Sequence, residues 1–188
     1  MTEVIRAAAE LQAICDAQRW RYCFIGGLAL QRWGEPRETV DVDLTLLTGF
    51  GGEKPFVEIL LGHFPARIAD AAQFAMTHRV LLLKAKSGVG LDIALGALPF
   101  EQCAVDRSSI FAFPGNVLIR TCSAEDLMVM KAFATRGKDW VDIEGIITRQ
   151  TGQLDWSYIE SQLQPLAELK GEPQILAELQ KRRLEFER

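Results

Sequence analysis

Phe24–Leu44 reads FIGGLALQRWGEPRETVDVDL, and the reading of this stretch decides the fold. The apolar run Tyr22–Ile25 predicts a short strand buried on both faces. Gly26-Gly27 follows as a turn, and Leu28–Trp33 as a short helix closed by Gly34, which Pro36 prevents from continuing. Val40–Leu46 predicts a second strand. Asp41 and Asp43 stand two residues apart on it, so their carboxylates share one face while Val42 and Leu44 point into a core. Like charges held that close repel unless a cation lies between them, and a divalent metal is the usual answer. The glycine pair, at a helix start, offers backbone N–H groups to an anion. An anion site beside a metal site is what a nucleoside triphosphate needs.

A third carboxylate repeats the pattern. Asp92 lies between Leu91 and Ile93 in a predicted strand Val89–Leu95, the hairpin partner of His78–Lys84 through the turn Lys86-Ser87-Gly88. If strands 40–46 and 89–95 are neighbours, three carboxylates share one patch. Such a patch suits one or two Mg²⁺ ions, which would hold the attacking and leaving oxygens of a displacement at phosphorus. The plain alternative is a strand edge with one solvated face, and for Asp92 a strand end beside Gly90.

The rest of the chain frames this patch. Residues 2–19 predict a helix with an apolar stripe of Val4, Ala8, Leu11 and Cys15. Pro55–Leu61 predicts another, Ile68–Phe74 does not separate into loop or helix, and Pro99–Val105 predicts a short helix. Ile110–Phe113 and Val117–Arg120 flank the turn Pro114-Gly115-Asn116. Ser123 is a helix N-cap with Asp126 in the reciprocal position, and that helix runs to about Thr135. Gly137 breaks it and Asp139 caps the next, to about Thr148. Trp156, Ile159 and Leu163 form one helical face, Pro165 restarts the helix, and Gly171-Glu172-Pro173 separates a last one. The expected fold class is α+β, a small mixed sheet with flanking helices. The expected domains are a core over 1–122 and a C-terminal helical region over 123–188 packed on it.

Composition narrows the function classes. A net charge of −4 gives no global electrostatic case for binding nucleic acid. Cys15, Cys23, Cys103 and Cys122 lack metal-ligand spacing and read as reduced structural thiols. The polar N-terminus lacks the apolar stretch of a signal peptide, and no run is long enough for a membrane span. The expectation is a cytoplasmic protein with no membrane partner.

Taken in order, Gly26-Gly27, Arg37-x-Thr39-x-Asp41-Val42-Asp43-Leu44 and Leu91-Asp92-Ile93 resemble the nucleotidyltransferase superfamily typified by DNA polymerase beta. Lys131-x-x-x-x-Arg136-x-Lys138-Asp139-x-x-Asp142 is similar to a motif of the abortive-infection (AbiEii-type) nucleotidyltransferase toxins and their small relatives. The matches span about residues 20 to 145. The resemblance implies the polymerase-beta-like fold and Mg²⁺-dependent transfer of an NMP from an NTP to a hydroxyl on RNA, protein or a small molecule, with Mn²⁺ as a substitute metal. Asp41, Asp43 and Asp92 would bind metal and carry catalysis, Asp92 as base toward the acceptor hydroxyl. Gly26, Gly27, Arg37, Thr39, Lys131 and Lys138 would bind the nucleotide, Lys131 by reaching the triphosphate. A toxin setting implies an antitoxin protein as partner.

Leu28 departs from the family pattern, because many members carry a hydroxyl there that contacts the phosphates. A catalytically silent binding module or partner subunit is therefore the alternative reading. Local alternatives also stand. Lys131 follows Val129-Met130 toward solvent, Lys138 and Asp142 form an i,i+4 surface pair, and Arg37 pairs with Glu35 or Glu38. His63 and His78 read as structural.

Overall fold

The computed structural model describes residues 2–187. Thr2 opens the first helix: its hydroxyl accepts the Ile5 N–H at 3.4 Å, and helix α1 (Glu3–Ala17) buries Val4, Ile5, Ala7, Ala8, Leu11 and Cys15 along one side. There follow β1 (Tyr22–Phe24), α2 (Gly26–Trp33), β2 (Asp41–Leu47), α3 (Lys54–His63), α4 (Ala71–His78), β3 (Val80–Lys84) and β4 (Gly90–Gly96). Next come α5 (Pro99–Asp106), β5 (Ser109–Phe113) and β6 (Val117–Thr121), and then α6 (Ala124–Ala134), α7 (Gly137–Arg149), α8 (Trp156–Lys170) and α9 (Gln174–Phe186). The chain divides into two compact units, Met1–Leu28 with Glu38–Cys122 and Ala29–Arg37 with Ser123–Arg188.

The first unit holds one six-stranded sheet in the order β3-β4-β2-β1-β6-β5. Consecutive strands pair antiparallel (β1 with β2, β3 with β4, β5 with β6), while β2–β4 and β1–β6 are parallel. Strand β2 is central and alternates accordingly. Val42, Leu44 and Leu46 are fully buried in a core with Phe24, Leu28, Leu60, Leu81, Leu83, Leu91 and Ile93, whereas Asp41 and Asp43 on the opposite face are half-buried. Each large side chain in that core contributes on the order of 2 kcal/mol by leaving water. This packing fixes the register of β2, because a one-residue slip would turn both aspartates into the core.

The second unit is mainly helical, and its entering segment Ala29–Arg37 begins with the remainder of α2. Ile143, Ile146 and Ile147 of α7, Leu127 and Val129 of α6, Ile159 and Leu163 of α8, and Leu179 of α9 make its buried interior. The entering segment is tied to the end of α7: Arg149 donates to the Gly34 carbonyl, and Gln150 Nε2 donates to the Trp33 carbonyl at 2.9 Å.

Four local expectations change. Helix α2 begins at Gly26, so the glycine pair is its first turn rather than a turn before it. The ambiguous stretch after His63 resolves into α4, which includes His78; Arg79, at φ 57°, ends that helix and hands the chain to β3. Helix α7 starts at Gly137, which places Asp139 inside the first turn instead of at the cap. Pro165 lies within one continuous helix α8. There the burial of Ile159, Leu163 and Ala167 on one face outweighs the missing N–H, and the ring itself is exposed to solvent. Among the described residues no helix is long and apolar enough to cross a membrane.

Candidate active site

Strands β2 and β4 run parallel in a register that sets Asp43 opposite Asp92 and Asp41 opposite Gly90. Paired residues on neighbouring strands about 4.8 Å apart point to the same face. The expected neighbouring of the two strands is therefore found, and the three carboxylates lie on one face of the sheet at the start of both strands.

Three glycines make room for the polar side chains. A Cβ on Gly26 would stand 2.1 Å from Asp43 Oδ2, and Gly26 has φ +58°, so the position excludes a side chain on two grounds. A Cβ on Gly27 would stand 2.3 Å from Thr39 Oγ1. A Cβ on Gly90 would meet Asp41 Oδ1 at 2.3 Å and an Arg67 guanidinium nitrogen at 2.4 Å. The Asp43 carboxylate thus lies directly on the first turn of α2, where free N–H groups favour an anion. Ile25 N–H donates to the Asp43 carbonyl at 3.0 Å, and Thr39 Oγ1 donates to the Asp41 carbonyl at 3.2 Å. These bonds fasten both ends of the Asp41–Asp43 segment.

Arg67 is a site residue that the sequence pattern does not announce. Its guanidinium donates to Asp92 Oδ1 at 2.6 Å and approaches Asp41 Oδ1 at 3.7 Å. It arrives from the stretch after α3. Lys84 N–H donates to the Pro65 carbonyl at 3.0 Å, Arg67 N–H to the Leu82 carbonyl at 3.0 Å, and Ala66 bridges Leu83, so this stretch runs antiparallel along β3. The nearby Phe64-Pro65 step biases the chain toward an extended segment but says nothing of Arg67 itself. Burial pushes the Asp92 carboxyl above its ordinary 3.8; Arg67 draws it partly back, and the nearby Asp41 carboxylate pushes it up again.

Leu28 is fully buried in the core of the first unit. The side chain that departs from the expected pattern is thus a packing residue. As for the other expectations, His63 is exposed at the end of α3, and His78 packs in a tilted arrangement on Phe74 with ring centroids 4.3 Å apart. None of the four cysteines forms a disulfide, and burial pushes the Cys15 thiol up to about 12. Among the described residues no group of three or more His, Cys, Asp or Glu side chains is gathered closely enough to cage a metal ion. The donor set itself, carboxylate oxygens alone, is nevertheless the chemistry that Mg²⁺ and Mn²⁺ take.

The second unit holds a separate charged cluster. Lys131 on α6 is buried, not solvent-facing, and its Nζ reaches Asp142 Oδ2 at 2.6 Å and Asp139 Oδ1 at 3.3 Å. Asp142 also takes both arms of Arg37, from Nε at 2.9 Å and from a terminal nitrogen at 3.0 Å. Asp139, fully buried, receives Arg136 at 2.5 Å and 3.1 Å. Burial alone would raise both carboxyls, but the hydrogen bonds from Arg136 and Lys131 to Asp139, and from Arg37 and Lys131 to Asp142, hold them below the ordinary 3.8. Lys138 stands exposed on α7, and Asp142, its expected surface partner, faces Arg37 and Lys131 instead. Arg37 reaches across 105 positions to Asp142.

A model of the nucleotidyl transferase AbiEii toxin family, of the type IV toxin–antitoxin system, matches residues 11–187. No curated protein matches the chain. Among solved structures the chain is similar to an antigenic nucleotidyltransferase-like protein from Paracoccidioides brasiliensis, at 16% identity and a TM-score of 0.53 over 95% of this chain and 92% of that one. It is also similar to the lincosamide antibiotic adenylyltransferase LnuA in its lincomycin-bound form, at 15% identity and a TM-score of 0.51 over 78% of this chain and 96% of that one. At these identities the likeness establishes the fold, an α+β nucleotidyltransferase fold.

Proposed function

The chain belongs to the AbiEii family of nucleotidyltransferase toxins, and from that premise we propose that it transfers an NMP from an NTP to a hydroxyl on RNA, protein or a small molecule, with release of pyrophosphate, in a Mg²⁺-dependent reaction. The observation that carries the reading is the in-register pairing of Asp43 with Asp92, with Asp41 on the same face and the first turn of α2 against Asp43. Asp41, Asp43 and Asp92 are the residues that would hold Mg²⁺, or Mn²⁺ in its place, and the bound cation would neutralise charge on the triphosphate. Asp92, whose burial raises its proton affinity, takes the proton of the acceptor hydroxyl. The backbone N–H groups of Gly26 and Gly27 take phosphate oxygens, and Thr39 supplies the hydroxyl that Leu28 lacks.

Arg37, Lys131 and Lys138, all in the second unit, are further candidate nucleotide-binding residues in this reading. Asp142 holds the Arg37 guanidinium through two hydrogen bonds, which fixes its orientation in advance. Residues 1–122 form the catalytic core and 123–188 the C-terminal helical region. The toxin setting supplies an antitoxin as protein partner and a cytoplasmic location.

One observation favours a second reading, a catalytically silent module of the same fold: Arg67 already pairs with Asp92. A thermal-shift titration with Mg²⁺ and each NTP separates the two readings. A shift that requires cation and nucleotide together supports the enzyme, because selective binding stabilises the folded state. No shift with any nucleotide would support the silent module.

A further inference from the structure

Arg67 sits where a cation would be wanted. Its guanidinium lies between the carboxylates of Asp41 and Asp92, two of the three groups assigned above to the metal. Gly90, by lacking a side chain, makes the space in which Asp41 and Arg67 meet. The backbone of Arg67 is pinned to β3 through the Leu82 carbonyl, while its side chain is one-third exposed. The head group is therefore delivered to a fixed place, with room to swing away. A divalent ion held by the Asp41 and Asp92 carboxylates would meet the guanidinium that now engages them, and two cations sharing the same carboxylates repel.

We infer that Arg67 is a resident counter-ion that competes with the divalent cation for Asp41 and Asp92, and that turns to the anionic triphosphate when the cation displaces it. This rests on the nucleotidyltransferase reading of the three carboxylates. Arg67 is then a positioning residue with two partners. It holds the two carboxylates of neighbouring strands together, and it makes cation binding and nucleotide binding favour each other. The planar guanidinium suits both partners, because carboxylate and phosphate accept the same pair of parallel N–H donors. The coupling follows from exchange alone: a cation that releases Arg67 offers a positive charge to the phosphates, and phosphates that hold Arg67 leave the carboxylates to the cation.

The test measures Mn²⁺ affinity by calorimetry or electron paramagnetic resonance, with and without a non-hydrolysable NTP, for the full chain and its Arg67→Gln and Arg67→Lys variants. Without nucleotide, Arg67→Gln binds Mn²⁺ about tenfold tighter than wild type, the scale on which a neighbouring opposite charge alters a carboxylate's affinity for a proton. With Mn²⁺ present it binds the nucleotide more weakly, and the mutual enhancement of the two ligands shrinks. Arg67→Lys, which keeps the charge, stays near wild type in Mn²⁺ affinity. Unchanged or weaker Mn²⁺ binding by Arg67→Gln, in a protein whose far-ultraviolet circular dichroism matches wild type, overturns the inference. If Mn²⁺ binds with equal affinity after Asp41→Asn and Asp92→Asn, the metal reading of the carboxylates falls instead, and the inference falls with it.

Discussion

Asp43 and Asp92 face one another across two parallel strands, one residue to one residue, in a sheet whose register is set by the hydrophobic residues on its other face. The site is thus a by-product of core packing. Val42 and Leu44 are buried so completely that the aspartates between and beside them have one direction left to point. The consequences can be measured.

Gly26→Ala puts a methyl group where Asp43 Oδ2 lies and strains a backbone at φ +58°. The expected loss of stability is about 1–3 kcal/mol, read from urea denaturation, together with loss of the nucleotide-dependent thermal shift. Gly62→Ala, in the open part of α3, is the control and leaves both unchanged or stability slightly raised.

Lys131→Ala removes the shared partner of two buried carboxylates. Breaking a buried pair on one side costs about 3–5 kcal/mol. Lys138→Ala, on the exposed face of α7, changes stability by less than about 0.5 kcal/mol. Equal effects for the two lysines in denaturant titrations would contradict the arrangement around Asp142.

The same cluster sets an acid limit. Asp139 and Asp142 have folded-state pKa values below 3.8, so the unfolded chain takes up their protons first as pH falls. Their stabilisation is complete above 3.8 and is lost as pH drops through the depressed folded values. Asp92 runs the other way: its raised pKa makes protonation easier in the folded state, so acid relieves rather than weakens that site. Thermal unfolding across this range is expected to show a falling midpoint, and Asp142→Asn to flatten the fall.

Pro165 interrupts the hydrogen bonding of α8 at a solvent-exposed position. Pro165→Ala restores an N–H donor and is expected to raise stability, by up to about 3 kcal/mol. A lowered midpoint in the same assay would mean that the ring is needed for packing.

What the sequence made legible follows from locality. Strand β2, its two aspartates and the third at Asp92 were readable because alternation of apolar and charged residues is a property of neighbours in the chain. The hairpin β3–β4 and the Ser123 cap were readable for the same reason, the latter accepting the Asp126 N–H at 3.1 Å. Arg67 was not, because its meaning comes from Asp92, 25 positions on, and from a bridge to β3 that leaves no periodic trace. Asp139 and Asp142 were visible as residues, but the cap expected of Asp139 and the surface pair that stood as one alternative for Asp142 are not what the fold gives them. The partners that hold them, Arg37 above all, come from distant parts of the chain. Helix α4 was obscured because its start and its end both rest on left-handed residues, Asp70 and Arg79, that are not glycine.

The central claim is that Asp41 and Asp43 carry a cation-dependent nucleotidyl transfer. The most direct measurement incubates the full chain with Mg²⁺, NTPs radiolabelled at the α-phosphate and a lysate as acceptor source, beside the Asp41→Asn, Asp43→Asn double variant. The account predicts label transferred by the wild type, abolished by chelation of the metal and absent from the double variant, with matching circular dichroism spectra for the two proteins. A double variant that labels acceptors as well as wild type would contradict it.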